Sequence, residues 1–192
     1  SGGLDSSSLV SLLSSIGEKN IKTFSVGFGT QSDEFEYARI VADKFKTQHT
    51  EILIEAEDIK KYLPKIVLSL DEPLADTGAF ASWLIFKHIR EKTNIKVALV
   101  GEGADEIFAG YSWHCILDFL SWLPESIKNR ILFYLTTYSN SKFKSALFEN
   151  VFLPTFNKFS DSDYLNRVLR MEFADNLPNN LLMKIDKASM AF

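Results

Sequence analysis

The stretch Ser1-Gly2-Gly3-Leu4-Asp5-Ser6-Ser7-Ser8 opens the sequence, and the rest of the chain is organised around it. Two adjacent glycines allow a tight turn, because no side chain obstructs the backbone there. Leucine and isoleucine then recur at helical spacing until Gly17. Free N–H groups at a helix N-terminus, together with serine hydroxyls, favour a bound phosphate. The stretch therefore predicts a phosphate-binding loop that leads into a helix.

Asp5 adds a carboxylate to this loop, where it would repel a phosphate unless a cation lay between them. We therefore expect a polyphosphate and Mg²⁺ at the loop. The alternative is that the glycines and serines are only a flexible start to an ordinary helix. The common P-loop is excluded, since no Gly-x-x-x-x-Gly-Lys-Ser/Thr occurs in the sequence. A Gly-x-Gly-x-x-Gly motif is excluded as well, because Glu106 stands where its last glycine would be.

A second motif, Gly101-Glu102-Gly103-Ala104-Asp105-Glu106, directly follows an apolar run. Its three carboxylates repel one another unless a cation or a proton lies among them. Asp5 and Asp105 would follow different strands at one edge of a sheet, so we expect them to share Mg²⁺. Glu102 is a candidate general base if burial raises its pKa. The alternative is an exposed acidic turn that caps the helix starting at Asp105.

Strands and helices alternate through the first half of the sequence. β-Branched and aromatic residues predict a strand at 21–28, and further strands are expected at 49–54 and 96–100. The run at 96–100 is apolar enough to be a central strand. Apolar residues at helical spacing predict the helices between them, one of them kinked or restarted near Pro64. This alternation predicts an α/β fold with a doubly wound parallel sheet, whose ligands bind beyond the carboxyl ends of the strands.

From about residue 112 the sequence changes to aromatic helical segments, with expected breaks at Pro124, Pro154 and Pro178. We therefore expect an α/β core over 1–111 and an added helical layer over 112–192.

Composition narrows the class of protein. A chain of 192 residues, 46% of them hydrophobic, can bury a substantial core, and no apolar run reaches the roughly 20 residues that cross a bilayer. A net charge of −4 argues against a nucleic-acid surface. The single cysteine excludes an internal disulfide, and the three histidines lack metal-ligand spacing. We expect a cytoplasmic enzyme domain that acts on small molecules, with no nucleic-acid or membrane partner.

A phosphate loop of this kind normally follows a β-strand, yet Ser1 is the first residue given. We therefore expect the sequence to be an excerpt that begins directly after its first strand, and we expect the excerpt alone to be catalytically inactive. Lys184 and Lys187 lie in a helical pattern and are expected at the surface or behind the site rather than at a reacting phosphate.

Ser-Gly-Gly-Leu-Asp-Ser resembles the PP-loop of the ATP pyrophosphatases, which split ATP between the α and β phosphates. Together with the motif at 101–111, it resembles the synthetase domain of glutamine-hydrolysing asparagine synthetases. The segments at 71–76 and 177–190 resemble further segments of that family, in matching order and spacing. The resemblance covers nearly the whole chain and implies a Rossmann-like fold of the adenine nucleotide alpha hydrolase type.

This resemblance implies that ATP activates the side-chain carboxylate of aspartate as an acyl-adenylate, and that ammonia then displaces AMP to give asparagine. It implies Mg²⁺ on Asp5 and Asp105, and a role for Glu102 in forming and aminolysing the intermediate. The implied nucleotide contacts are Ser1, Gly2, Gly3, Asp5 and Ser6 at the pyrophosphate, Val26 at the adenine, and Val100 and Gly101 along the nucleotide. An N-terminal glutaminase domain is expected outside this sequence, and a homodimer is left open.

Two positions depart from the family pattern. Val100 stands where many relatives have serine, and Thr77-Gly78 replaces a more usual Pro-Ser. The second departure leaves open another acyl acceptor, as in relatives such as β-lactam synthetases, lasso-peptide cyclases or sugar-modifying amidotransferases. A non-catalytic nucleotide-binding domain is a further alternative, and Asp5, Glu102 and Asp105 argue against it. Cys115 lies mid-chain and cannot be a glutaminase nucleophile.

Overall fold

The computed structural model describes residues 2–31, 33–70, 76–136, 153–160 and 163–192. In chain order, its elements are α1 Leu4–Ser15, β1 Lys22–Gly27, α2 Phe35–Phe45, β2 Gln48–Leu53, α3 Ala56–Ser69, α4 Gly78–Lys92, α5 Ala104–Phe108, α6 Ser112–Phe119, α7 Glu125–Thr136, α8 Leu153–Phe156, α9 Tyr164–Met171, a π-helix Glu172–Leu182 and α10 Met183–Ser189. Ser1 and most of the segment at 71–76 lie outside the described residues.

The chain divides into two compact units. Residues up to Gly101 form the first unit together with Leu182–Phe192, and Glu102–Leu181 form the second. This grouping differs from the expected division after residue 111, because the end of the chain returns to the first unit.

The two described strands confirm the predicted positions of the first two strands to within one residue. β1 and β2 pair in parallel, with Lys22 opposite Gln48 and Gly27 opposite Leu53. Helix α2 packs against both strands and α4 packs against β1. Ala38 and Ala42 are the buried residues of α2, as its apolar spacing predicts. The α/β class is therefore confirmed by a parallel strand pair with helices against it.

The apolar run at 96–100 was predicted to be a central strand, and that prediction is wrong for the described structure. The run forms neither strand nor helix. Val97 is 77% exposed and Leu99 is 61% exposed, whereas a central parallel strand is buried on both faces. The physical reason is that a strand needs a neighbour to pair its backbone groups, and the only described sheet contains β1 and β2 alone. A doubly wound sheet is not complete in the described part of the chain.

Prolines interrupt the helices less than the sequence suggests. α3 is a single helix that contains Pro64, so the chain does not restart there. The predicted break at Pro178 is wrong, because this residue lies inside the π-helix. The wider i→i+5 turn of a π-helix accommodates a ring and a missing N–H that an α-helix tolerates poorly. Pro124 does directly precede a helix, α7.

Each unit has its own hydrophobic core. The first core joins α3, α4 and α10, and its members are Ile54, Ile66, Leu70, Ala79, Trp83, Leu84 and Ala188. The second core joins α6 to α9, and its members are Leu117, Leu132, Phe156, Tyr164, Val168 and Met171. None of the helices described is both long enough and apolar enough to span a bilayer.

Candidate active site

The predicted phosphate loop does lead into a helix N-terminus. α1 begins at Leu4 with Gly3 as its N-cap, and Asp5 lies in the first turn. The hydroxyl of Ser6 donates to the carbonyl of Gly3 at 3.2 Å, which helps to hold the turn. The first N–H groups of a helix have no acceptor within that helix, so this turn has the backbone donors that an anion site requires.

Two glycines of the predicted site are needed because other atoms approach them closely. A Cβ on Gly2 would overlap the side chain of Tyr37 on α2. A Cβ on Gly101 would lie 3.2 Å from the Cβ of Asp5 and 3.4 Å from the amide nitrogen of Ser6. The turn that follows the 96–100 run is therefore in contact with the first turn of α1. The first unit thus brings together three predicted site residues.

A cavity of about 890 Å³ opens beside this contact, within the first unit. Ser6, Val100 and Gly101 of the predicted residues line it, together with part of β1. Val26 does not line this cavity and instead packs, partly buried, against the first core. The predicted contact between Val26 and an adenine stays a prediction.

Asp33 organises the loop after β1, and sequence reasoning did not select it as a site residue. Its carboxylate accepts the N–H of Phe28 at 3.0 Å, of Gly29 at 2.7 Å and of Thr30 at 3.1 Å. The hydrogen bond from Phe28 is the main cause that holds the pKa of Asp33 below its ordinary value, and the bonds from Thr30 and Gly29 add to it. The sequence did offer a signal for Asp33: it is an acidic residue six positions after the end of a strand, with a glycine turn in between.

Asp76 and Lys184 form a second feature of the first unit. Lys184 is buried, and its Nζ donates to Oδ2 of Asp76 at 2.8 Å. The expectation of a surface position for this lysine is therefore wrong, and its ion pair is the reason that burial is tolerated. Asp76 Oδ1 also accepts the N–H of Gly78 at 2.7 Å, at the start of α4. Burial alone would raise the pKa of Asp76, but the hydrogen bonds from Lys184 and Gly78 outweigh it and lower that pKa.

The second motif lies in the second unit and forms a turn followed by the short helix α5. Gly103 has a φ of +91° and packs against Leu177, so the turn needs a residue that tolerates left-handed backbone. Asp105 is in the first turn of α5, and its carboxylate lies so close to Gly110 that a Cβ there would overlap it. Glu102 is exposed. Gly110 thus leaves the space that the Asp105 carboxylate occupies, and the sequence analysis did not identify it.

The exposed acidic turn that was weighed as an alternative does not describe Glu106. This residue is only 1% exposed, and its Oε1 accepts a hydrogen bond from the hydroxyl of Tyr111. Burial, followed by this hydrogen bond, raises the pKa of Tyr111. One carboxylate of the motif is therefore structural, and the predicted roles of Glu102 and Asp105 stay predictions.

A buried hydrogen bond between His114 and Glu172 lies in the same unit. His114 Nε2 and Glu172 Oε2 are 2.9 Å apart. Burial raises the pKa of Glu172 to about 8, and the charges of Glu106 and Asp105 add to this effect. Burial also lowers the pKa of His114. At neutral pH the pair is therefore a hydrogen bond between uncharged groups rather than an ion pair.

The positions of Asp5 and Asp105 bear only in part on the predicted Mg²⁺ site. In the described ranges, no three His, Cys, Asp or Glu side chains are grouped so as to hold a metal ion. Asp5 belongs to the first unit and Asp105 to the second, and a shared ion between them stays a prediction.

These features define the class of protein: an α/β protein with a glycine- and serine-rich loop at a helix N-terminus beside a parallel strand pair. The model of the asparagine synthase family matches residues 1–192, and the chain belongs to this family. The resemblance inferred from the two motifs is thereby confirmed.

Individual relatives agree with this assignment. The chain is 35% identical over 132 residues to a putative glutamine-hydrolysing asparagine synthetase of Methanocaldococcus jannaschii, covering 67% of this chain and 25% of that protein. It is 41% identical over 113 residues to asparagine synthetase 1 of Bacillus subtilis, covering 58% and 17%. Identity to the human glutamine-hydrolysing enzyme is 35% over 118 residues, covering 58% and 21%. The chain thus spans a quarter or less of the length of these relatives.

Proposed function

We propose that this chain is the synthetase part of an ATP-dependent ligase that makes asparagine from aspartate and ammonia. The observation that carries the proposal is the contact of Gly101 with Asp5 and Ser6. This contact puts a turn that follows an apolar run beside a helix N-terminus preceded by two glycines, which is the arrangement a nucleotide phosphate requires. Membership in the asparagine synthase family and the names of the relatives support the choice of substrates.

In this proposal, the side-chain carboxylate of aspartate attacks the α-phosphorus of ATP, and pyrophosphate leaves. Ammonia then attacks the acyl carbon and loses one proton, and AMP leaves with the bonding electrons of the acyl–oxygen bond. The residues proposed to hold the pyrophosphate are Ser1, Gly2, Gly3, Asp5 and Ser6, with Val26 at the adenine and Val100 and Gly101 along the nucleotide. Glu102 is proposed to support formation and aminolysis of the intermediate.

Asp5 and Asp105 are the residues proposed to hold Mg²⁺. The donor set fits, since this ion prefers oxygen ligands and usually combines one or two carboxylates with substrate phosphates and water. When bound, Mg²⁺ would neutralise charge on the phosphates. Gly110 would contribute indirectly, because it leaves the space that the Asp105 carboxylate occupies.

The remaining parts of the proposal concern the whole protein. The relatives are named for hydrolysis of glutamine, so we propose that a glutaminase domain supplies the ammonia. We also propose a doubly wound sheet in the complete fold, with the α/β core over 1–111 and helices over 112–192. A cytoplasmic location and a homodimer complete the proposal.

Aspartate-dependent exchange of pyrophosphate into ATP by the full-length protein is the test of this function. Asp105→Asn should abolish the exchange at ordinary Mg²⁺ concentrations, whereas Asp43→Asn on the exposed surface of α2 should leave it unchanged. Exchange that depends on another carboxylic acid, and not on aspartate, would favour a different acyl acceptor. ATP binding without any exchange would favour a non-catalytic nucleotide-binding domain.

A further inference from the structure

The three residues after α5 turn the chain back over that helix. Ala109 ends α5 with a left-handed backbone, at a φ of +58°. The N–H of Gly110 then donates to the carbonyl of Asp105 at 3.1 Å. Tyr111 follows as the N-cap of α6. This fold-back turn, residues 109–111, is therefore bonded to the first turn of α5, where Asp105 lies.

Gly110 lies where the carboxylate of Asp105 needs space. A Cβ on Gly110 would overlap Oδ1 of Asp105 and would lie 2.9 Å from its Cγ. The φ of Gly110 is outside the left-handed region, so an alanine could adopt this backbone. The glycine is therefore required for the space that it leaves to the carboxylate and not for its backbone conformation.

A hydrogen bond between side chains holds the fold-back turn against α5. The hydroxyl of Tyr111 donates to Oε1 of Glu106, a residue that is only 1% exposed. The Tyr111 ring also packs against the buried His114, with 5.3 Å between the ring centroids. Glu106 follows Asp105 on α5, and Tyr111 follows Gly110 in the turn. The hydrogen bond therefore fixes the turn in the place where it meets the Asp105 carboxylate.

We infer that Tyr111 is a positioning residue for Asp105: its hydrogen bond to Glu106 holds the fold-back turn, and the turn keeps the Asp105 carboxylate in the orientation that binds Mg²⁺. This inference rests on the proposed function, in which Asp105 is a ligand of that ion. A carboxylate that is already held loses less rotamer freedom when the ion binds. Mg²⁺ also demands near-octahedral geometry, so a rotated carboxylate binds it less well.

The alternative is that Glu106 is itself a ligand of the ion. Its Oε2 is buried and has no hydrogen-bond partner in the part of the chain that the structure describes. Burial argues against a ligand role, because Mg²⁺ usually keeps several water molecules and a position closed to solvent does not admit them. Glu106→Gln separates the two roles, since an amide oxygen still accepts the Tyr111 hydrogen but does not carry the charge of a carboxylate.

The experiment measures the affinity of the full-length protein for a divalent cation. The protein is saturated with an ATP analogue that has a methylene bridge between the α and β phosphates. Mn²⁺ is the probe, and free Mn²⁺ is measured by electron paramagnetic resonance. Tyr111→Phe should weaken Mn²⁺ binding about tenfold or more, as the loss of a group that orients a metal ligand does. Gly110→Ala should weaken it to the same extent, because its methyl group displaces the Asp105 carboxylate.

Two controls separate positioning from other causes. Glu106→Gln, which keeps the hydrogen bond, should change Mn²⁺ affinity by no more than about twofold. Val168→Ala truncates a fully buried side chain of the second core and so destabilises the same unit. It should leave Mn²⁺ affinity unchanged, because it does not contact the fold-back turn through the Tyr111 hydrogen bond.

Asp105→Asn distinguishes a failure of this inference from a failure of the proposed Mg²⁺ site. If Asp105→Asn leaves Mn²⁺ binding unchanged, Asp105 is not a ligand and both are wrong. If it weakens binding while Tyr111→Phe and Gly110→Ala do not, only the positioning role is overturned. A loss in Glu106→Gln as large as that in Asp105→Asn would overturn the role by making Glu106 a ligand. Equal losses in Val168→Ala and Tyr111→Phe would overturn it by reducing the effect of Tyr111 to stability.

Discussion

The ammonium group of Lys184 and the carboxylate of Asp76 form an ion pair at 2.8 Å across 108 positions of sequence. Only 7% of the lysine side chain is exposed to solvent. Because Asp76 also accepts the N–H of Gly78, the pair ties α10 to the start of α4. The ion pair therefore links the last helix of the first unit to the start of α4.

Asp76→Ala should lower the free energy of unfolding by about 3 kcal/mol, because it removes the carboxylate that forms an ion pair with a buried ammonium group. Urea denaturation of the purified protein measures this change. Glu91→Ala is the matched control, since Glu91 forms an exposed i,i+4 pair with Lys87 and should cost only about 0.5 kcal/mol. The double variant Asp76→Ala, Lys184→Met should recover much of the loss. Equal costs at the two sites would contradict the assignment of Lys184 as buried.

The titration of Glu172 should make the free energy of unfolding depend on pH. Its pKa is about 8 in the folded protein, and carboxyls of this kind titrate at about 4.3 when unfolded. Between these values only the folded state keeps the proton, so stability falls as the pH rises. Between pH 6.5, the ordinary pKa of histidine, and pH 8 the loss should reach up to about 2 kcal/mol.

Glu172→Gln should flatten this pH dependence, because an amide can still donate to His114 but does not titrate. Urea denaturation at several pH values above 6.5 separates this effect from His114, whose lowered pKa affects stability only below that pH. Glu91→Gln, at an exposed position, should leave the slope as it is. If the free energy of unfolding of Glu172→Gln still falls as the pH rises, the buried carboxyl is not the cause of the pH dependence.

Tyr111→Phe should destabilise the second unit by roughly 1–3 kcal/mol, since it removes the hydroxyl that donates to the buried Glu106. Thermal and urea unfolding would both show it. Tyr37→Phe is the control, because the Tyr37 side chain is 63% exposed and its change should stay within about 0.5 kcal/mol. Adding Glu106→Gln to Tyr111→Phe should reduce the loss, as a neutral amide is cheaper to bury than a carboxylate. If the double variant loses as much stability as the two single variants together, or more, the result would count against this hydrogen bond.

Gly101→Val should weaken ATP binding at least about tenfold, or about 1.4 kcal/mol. The added side chain would be forced against Asp5 and Ser6 and would displace the first turn of α1. Calorimetric titration of the full-length protein with ATP measures the effect. Gly17→Ala is the control: its φ of +91° strains any side chain there, but no atom beyond its chain neighbours lies within 4 Å of the new Cβ. It should lower stability and leave ATP affinity alone. Normal ATP binding by Gly101→Val would remove this turn from the nucleotide site.

The sequence by itself determined the elements whose causes are local. The start of α1 follows from two glycines before an apolar helical pattern, and α2 follows from the spacing of Ala38 and Ala42. β1 and β2 follow from short runs that contain β-branched residues. The sequence also allowed the family to be predicted. The loop at 1–6 and the motif at 101–111 are contiguous stretches, and local turns and helix starts dictate their residue types.

The tertiary structure alone decided what depends on neighbours distant in sequence. Whether the 96–100 run is a strand depends on a backbone partner, and its composition carries no information about whether that partner is there. Lys184 and Glu106 have the sequence character of surface residues, yet both are buried because Asp76 and Tyr111 supply their hydrogen bonds. Burial of a charged group is set by the partner that compensates its lost hydration, and only the fold brings that partner close.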